Sequence, residues 1–175
     1  MGRPYQILLP LFSLFLVRVD LTDLSPLSLK VQITKVYDGD TVLVRSGFLR
    51  SKVRFSRIDA PEKGQPFVGG SGNAGEFSKR CLERLLPRSG QAVLKIQGHD
   101  IYGRILGDID GISLKLVEEG CTCLYPHAKF ESQQEKYFYL KAMMTAKRLK
   151  KGLWALGGVE QPKAWRRKNK FRKRI

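Results

Sequence analysis

Between Leu29 and Asp59 the chain alternates short β-branched runs with glycine turns, and this stretch limits its fold more than any other. Val31, Ile33, Thr34 and Val36 form one run, Thr41, Val42 and Val44 a second, and Val53 marks a third. Asp38-Gly39 and Ser46-Gly47 lie between them, and turns of this kind join neighbouring strands antiparallel. The pattern predicts three short antiparallel strands. From Glu76 to Leu86 the period changes: Phe77, Cys81 and Leu85 recur every four residues, and Pro87 with Gly90 ends the predicted helix. Strand character returns over 92–96 and 104–109, on either side of a polar loop at Gly98, His99 and Asp100.

A short helix is expected around Ser113 to Glu119, ended by Gly120, and a longer one from about Ser132 to Lys151, with Gly152 as its cap. Tyr137, Leu140 and Met144 form an apolar stripe on the longer helix and are read as core, with Lys141, Lys147, Lys150 and Lys151 outside. Three strands, helix, two strands, short helix, long helix is the order of an α+β chain. It suits a five-stranded barrel of the oligonucleotide-binding (OB-fold) type with about three helices. At 175 residues there is room for one such domain and flanking segments. Residues 1–28 are read as a signal peptide or hydrophobic anchor, 29–158 as the domain and 159–175 as a basic tail.

Arg3 precedes an apolar run from Ile7 to Val17, and Arg18 closes it. The run is too short to span a bilayer, which takes ~20 residues, and its basic start resembles an export signal without a clear cleavage site. A secreted or envelope location is expected, with membrane association through the N-terminus as a further expectation. Cys81, Cys121 and Cys123 lack zinc spacing and are read as small core residues, the pairing of Cys81 with one of the others staying open.

Lys and Arg outnumber Asp and Glu by 32 to 16, which points to a polyanionic partner, with nucleic acid the commonest. Eight cations between Lys163 and Arg174 read as a solvated tail adding salt-dependent affinity for phosphates. Acidic residues stand out against this background. Asp38, Gly39, Asp40 and Thr41 end one strand and begin the next, and Asp59, Ala60, Pro61 and Glu62 follow the third. Two carboxylates at neighbouring strand ends can share a hard cation, and oxygen ligands without His or Cys favour calcium or magnesium. His99 and His127 are read as surface residues. Gly69, Gly70, Gly72 and Gly75 are read as a loop flanking the site.

In order, D-G-D-T at 38–41, R-x-x-x-x-D-x-P-E at 54–62 and D-x-Y-G-R at 100–104 resemble the staphylococcal nuclease family over residues 29–156. Gly152-Leu153-Trp154 and the 162–167 segment with Trp165 are similar to the endings of its members. The resemblance implies that Asp40 and Asp59 bind Ca2+ through carboxylates and Ala60 through its carbonyl. It implies that Arg54, Glu62 and Arg104 are the catalytic set, that Tyr102 stacks on the nucleotide, and that Tyr125, displaced by about one position, sits near a second such place.

It further implies a calcium-dependent endonuclease that hydrolyses phosphodiester bonds in DNA and RNA, preferring single-stranded or unpaired regions and leaving 3′-phosphate ends. The alternative is a catalytically inactive nucleic-acid-binding module on the same fold. A monomer is the default expectation. Glu62 would accept a proton from the attacking water, since a carboxylate beside a cation and arginines stays ionised. Arg54 and Arg104 offer planar forks that match phosphate oxygens, and Arg57 is left to structure.

Overall fold

The computed structural model describes residues 27–172, so the expected N-terminal signal or anchor lies almost entirely outside the described residues. Seven strands and four α-helices follow in order. They are β1 (Ser28–Val36), β2 (Thr41–Ser46), β3 (Leu49–Phe55), β4 (Ile58–Asp59), α1 (Ala74–Leu85), β5 (Gln91–His99), β6 (Ile105–Ile109), α2 (Ile112–Glu118), β7 (Cys123–Leu124), α3 (Gln133–Arg148) and α4 (Pro162–Arg172). A 3-10 turn at Gly152–Leu156 links α3 to α4.

Five strands close a barrel in the order β1-β2-β3-β6-β5. β1, β2 and β3 run antiparallel, as their turn residues predict, and β6 closes against β3 in parallel. Alternating apolar side chains fill the interior: Val31, Val42, Val44, Val53, Phe55, Leu94 and Ile109 are all buried. Leu82 of α1 and Leu116 and Val117 of α2 cap this core. The barrel and its helices are the OB-type α+β fold that the strand pattern calls for, with one helix more than expected.

α1 starts at Asn73, whose side chain accepts the Glu76 N–H at 3.0 Å, and so reaches back over Gly75, which the sequence reading placed in a loop. α3 is capped by Ser132, which accepts from Glu135 N at 3.0 Å. Its buried face is Tyr139, Ala142 and Ala146, while Tyr137, Leu140 and Met144, the expected core stripe, are exposed. Small residues let α3 approach closely, and Tyr139 tilts against Phe130 at 5.4 Å. The largest apolar side chains were therefore a poor guide to which face is inside.

Cys81 of α1 and Cys121, just after α2, form a disulfide across 40 residues, and Cys123 is free and buried. The reading of all three as free core thiols is corrected: the pairing left open for Cys81 is made. The basic segment is also not a solvated tail over the described residues. Residues 162–172 form α4, which begins with a buried Pro162 and two of whose cations pair with carboxylates, Lys168 with Glu160 at 2.6 Å and Arg166 with Asp59. No described helix is long and apolar enough to cross a membrane.

Candidate active site

The barrel brings the ends of β2, β3 and β4 together, and the acidic motifs lie on them. Asp40 sits at the entrance to β2, where its carbonyl accepts from Phe55 N at 2.9 Å and ties it to the end of β3. Its carboxylate accepts from Ala60 N at 2.9 Å and from the Thr41 hydroxyl at 2.9 Å. Asp59 ends β4, which is held in place by pairing with β7 in the register Asp59↔Cys123. Both aspartates are buried, Asp59 completely. Gly39 permits this closeness: a Cβ there would lie 2.0 Å from the Ser78 hydroxyl of α1. Its role is the close approach of a strand end to a helix rather than an unusual backbone angle.

One guanidinium joins the two carboxylates. Arg54 Nη1 lies 2.5 Å from Asp40 Oδ2 and its Nη2 lies 2.9 Å from Asp59 Oδ1. Burial works against the charge of Arg54, but Asp40 and Asp59 hold it protonated more firmly than an ordinary arginine. Burial raises the Asp59 carboxyl above its usual range, with Arg166 and Arg54 pulling it down and Asp40 pushing it up. Asp38 is pushed up to about 6, by burial first and then by Asp40. Asp38, Asp40 and Asp59 thus crowd three carboxylates about two guanidiniums, Arg54 and Arg166, and such a surplus of negative charge is the electrostatic condition for a cation site.

The donor set fits a hard divalent ion. Asp40, Asp59 and the Ala60 carbonyl supply only oxygen, the chemistry of calcium or magnesium. Among the described residues no three His, Cys, Asp or Glu side chains converge on one point, so an ion here would rest on two carboxylates, a main-chain carbonyl and added water or phosphate. Calcium accepts an irregular shell that includes a main-chain carbonyl, whereas magnesium demands near-ideal octahedral geometry.

Glu62 follows Pro61 on a loop locked from below. Its N–H donates to Gln65 Oε1 at 3.0 Å, its carbonyl accepts from Gln65 N at 2.8 Å, and Gln65 itself is fully buried. Gln65 Nε2 in turn donates to the Glu160 carbonyl at 2.7 Å, linking the loop to the residues before α4. Gly75 lies against this loop: a Cβ there would be 2.2 Å from the Glu62 carbonyl oxygen. α1 can pack under the loop only because position 75 has no side chain.

Arg104 lies on the turn between β5 and β6, shaped by Asp100, whose Oδ1 accepts from Tyr102 N at 2.9 Å and Arg104 N at 3.0 Å. Arg104 Nε lies 2.7 Å from Asp100 Oδ2, and its guanidinium stacks 5.7 Å from the Tyr102 ring. Burial opposes it, yet the Arg104 and Tyr102 donors hold the Asp100 carboxyl below the usual range. Arg104 therefore shares the cavity with Asp40 and Glu62 while its own ion pair is with Asp100. That cavity, about 1160 Å³, is lined by Asp40, Arg54, Glu62, Arg104, Tyr102 and Tyr125, among others. Tyr125 lies beneath Arg54 at 5.9 Å, so both expected aromatic positions face the same space. His99 and His127 are exposed, as read from the sequence.

Two residues escaped the sequence reading. Gln65 shows only as a glutamine three residues after Glu62. Arg166 of α4 was counted among the tail cations, but its Nη2 lies 3.0 Å from Asp59 Oδ1 and 3.1 Å from Oδ2, and its Nη1 lies 2.5 Å from Glu62 Oε1. Only its place beside Trp165 set it apart from the other cations. Arg57, left to structure in the sequence, is buried at the edge of the same cavity and ion-pairs with Glu131 at 3.1 Å and with Glu135 of α3 at 2.6 Å.

A closed OB-type barrel thus gathers two aspartates, a glutamate and three arginines about one end of its strands. Comparison with known proteins identifies the class to which such a chain belongs. Residues 52–156 match the family described as staphylococcal nuclease homologue. The chain is 31% identical over 166 residues to an uncharacterized endonuclease of Haemophilus influenzae, spanning 92% of this chain and 86% of that protein. It is 27% identical over 154 residues to a micrococcal nuclease of Shigella flexneri, spanning 79% of this chain and 81% of that one. The chain belongs to the staphylococcal nuclease family, and with it to the phosphodiester hydrolases that act as endonucleases on nucleic acid.

Proposed function

We propose that this chain is a calcium-dependent endonuclease of DNA and RNA that prefers single-stranded or unpaired regions and leaves 3′-phosphate ends. The observation that carries the reading is the convergence of Asp40 and Asp59 on a single guanidinium, with Glu62 on the adjoining loop. A bound cation would neutralise phosphate charge and polarise the phosphorus for attack.

The chain's own groups supply the rest. Glu62, whose loop is held by Gln65 and packed against Gly75, would take a proton from water entering the cavity. Arg54 and Arg104 offer N–H donors to the phosphate oxygens that gain charge in the five-coordinate transition state. Tyr102 and Tyr125 give flat faces on which unpaired bases can stack, which supports a single-strand preference. The overall excess of cations draws nucleic acid to the molecule. The Cys81–Cys121 disulfide supports a secreted or envelope location, where such bonds persist.

The test is digestion of single-stranded DNA and RNA with calcium and with excess chelator, followed by analysis of product ends. Calcium-dependent cleavage giving 3′-phosphates is the expected result; cleavage that survives chelation refutes the reading. Glu62→Gln should lower turnover ~100-fold or more while sparing binding to a single strand.

A further inference from the structure

We propose that Arg166 is a tethered counter-ion of the cation site: its guanidinium holds Asp59 and Glu62 closed until a divalent cation takes its place on Asp59. The inference rests on the reading of Asp40 and Asp59 as cation ligands.

Asp59 is wholly buried, and a buried carboxylate left without a partner is strongly destabilising. Two guanidiniums meet that need, and they differ. Arg54 belongs to β3, inside the closed barrel, and its side chain is 15% exposed; Arg166 comes from the last described helix and is 34% exposed. Arg54 is fixed by the barrel ladder and by Asp40 as well. Arg166 is the one that can leave. Its Nη2 contacts both oxygens of Asp59, so a cation that coordinates this carboxylate must take over positions that Arg166 now fills.

Arg166 also occupies Glu62. With Nη1 at 2.5 Å from Oε1, the carboxylate expected to accept a proton from water is instead accepting from a guanidinium. A single side chain thus blocks the cation ligand and the base together. Exchange of Arg166 for a divalent ion raises the positive charge beside Asp59 and frees Glu62 in the same step. Three carboxylates, Asp40, Asp59 and Glu62, share two guanidiniums in the closed arrangement, and a divalent cation satisfies them better than Arg166 does.

The segment that leads into α4 is held by contacts that do not involve Arg166, so the guanidinium can swing away without releasing the start of the helix. Gln161 Nε2 donates to the Leu124 carbonyl at 2.8 Å, Gln65 holds the Glu160 carbonyl, and Val68 N donates to the Gly158 carbonyl at 2.9 Å.

The experiment is a calcium titration of the full chain by calorimetry, without nucleic acid. If Arg166 keeps the site closed about nine-tenths of the time, Arg166→Gln should bind calcium about tenfold more tightly than the unchanged chain. Arg167→Gln removes the same charge from an exposed neighbour on α4 and should leave the affinity within twofold. Should Arg166→Gln not fold, Arg166→Lys takes its place: a single ammonium cannot span Asp59 and Glu62 as the fork does, and calcium should tighten several-fold. Unchanged or weaker binding by the Arg166 variant overturns the inference while leaving the cation site standing. Equal tightening in Arg167→Gln overturns it too, by assigning the effect to net charge. Absence of calcium binding by every chain overturns the cation site, and the inference with it.

Discussion

Gly75 to alanine is the substitution that most directly separates the site from the fold. The new Cβ would stand 2.2 Å from the Glu62 carbonyl oxygen and 2.9 Å from Lys63 N, where ordinary contact begins at 3.4 Å. Relief requires the 62–63 backbone to retreat by about 1 Å, because the other party is a helix backbone and cannot give way. In stability two effects oppose each other. Alanine favours a helix over glycine by about 1 kcal/mol, and overpacking costs about 1–3 kcal/mol, so the net loss is about 1 kcal/mol. In catalysis nothing offsets the shift, since ~1 Å of misplacement costs roughly 100-fold. Steady-state cleavage of single-stranded DNA with calcium, read beside thermal unfolding by circular dichroism, should show kcat down by about two orders of magnitude. A kcat within twofold of the unchanged chain, with the fold intact, would refute the claim that Gly75 positions Glu62.

Two further outcomes are expected. Reduction of Cys81–Cys121, which closes 40 residues, should lower unfolding free energy by up to about 4 kcal/mol in urea titrations, and a loss below 1 kcal/mol would show that the bond constrains little. Asp108 accepts from Ile109 N, Ser113 N and the Ser113 hydroxyl, yet burial lifts its carboxyl above the usual range. A raised carboxylate adds stability below its ordinary value near 3.8 and loses it as pH climbs through the folded value. Asp108→Asn keeps the accepting oxygen and cannot ionise, so its melting temperature should gain on that of the unchanged chain between pH 3 and pH 7; a shift in the opposite sense would contradict this assignment.

The barrel was readable because its cues are local. β-branched runs and Asp-Gly or Ser-Gly turns act over a few residues, and β1, β2 and β3 form where they place them. Asp40, Asp59 and Glu62 stood out for the same local reason, since Asp40 immediately precedes β2 and the other two follow within a few residues of the end of β3. The inner face of α3 was not, because packing selected Ala142 and Ala146 for closeness over Leu140 and Met144 for size. Arg166 was hidden for a different reason. Its partners lie 104 and 107 residues away, and no periodicity distinguishes it from seven other cations around it.

That separation has a consequence for how such a chain can change. Strand pairing, core and carboxylates are settled before residue 157, and what reaches the site afterwards arrives through Gly158 and one helix. An insertion of a single residue between Pro162 and Arg166 would turn the rest of the helix by about 100°, carrying the guanidinium off Asp59 while the barrel strands, all earlier in the chain, keep their pairing. Mutation can therefore vary what covers Asp59 and Glu62 within one turn of one helix, on an enzyme whose barrel does not register the change.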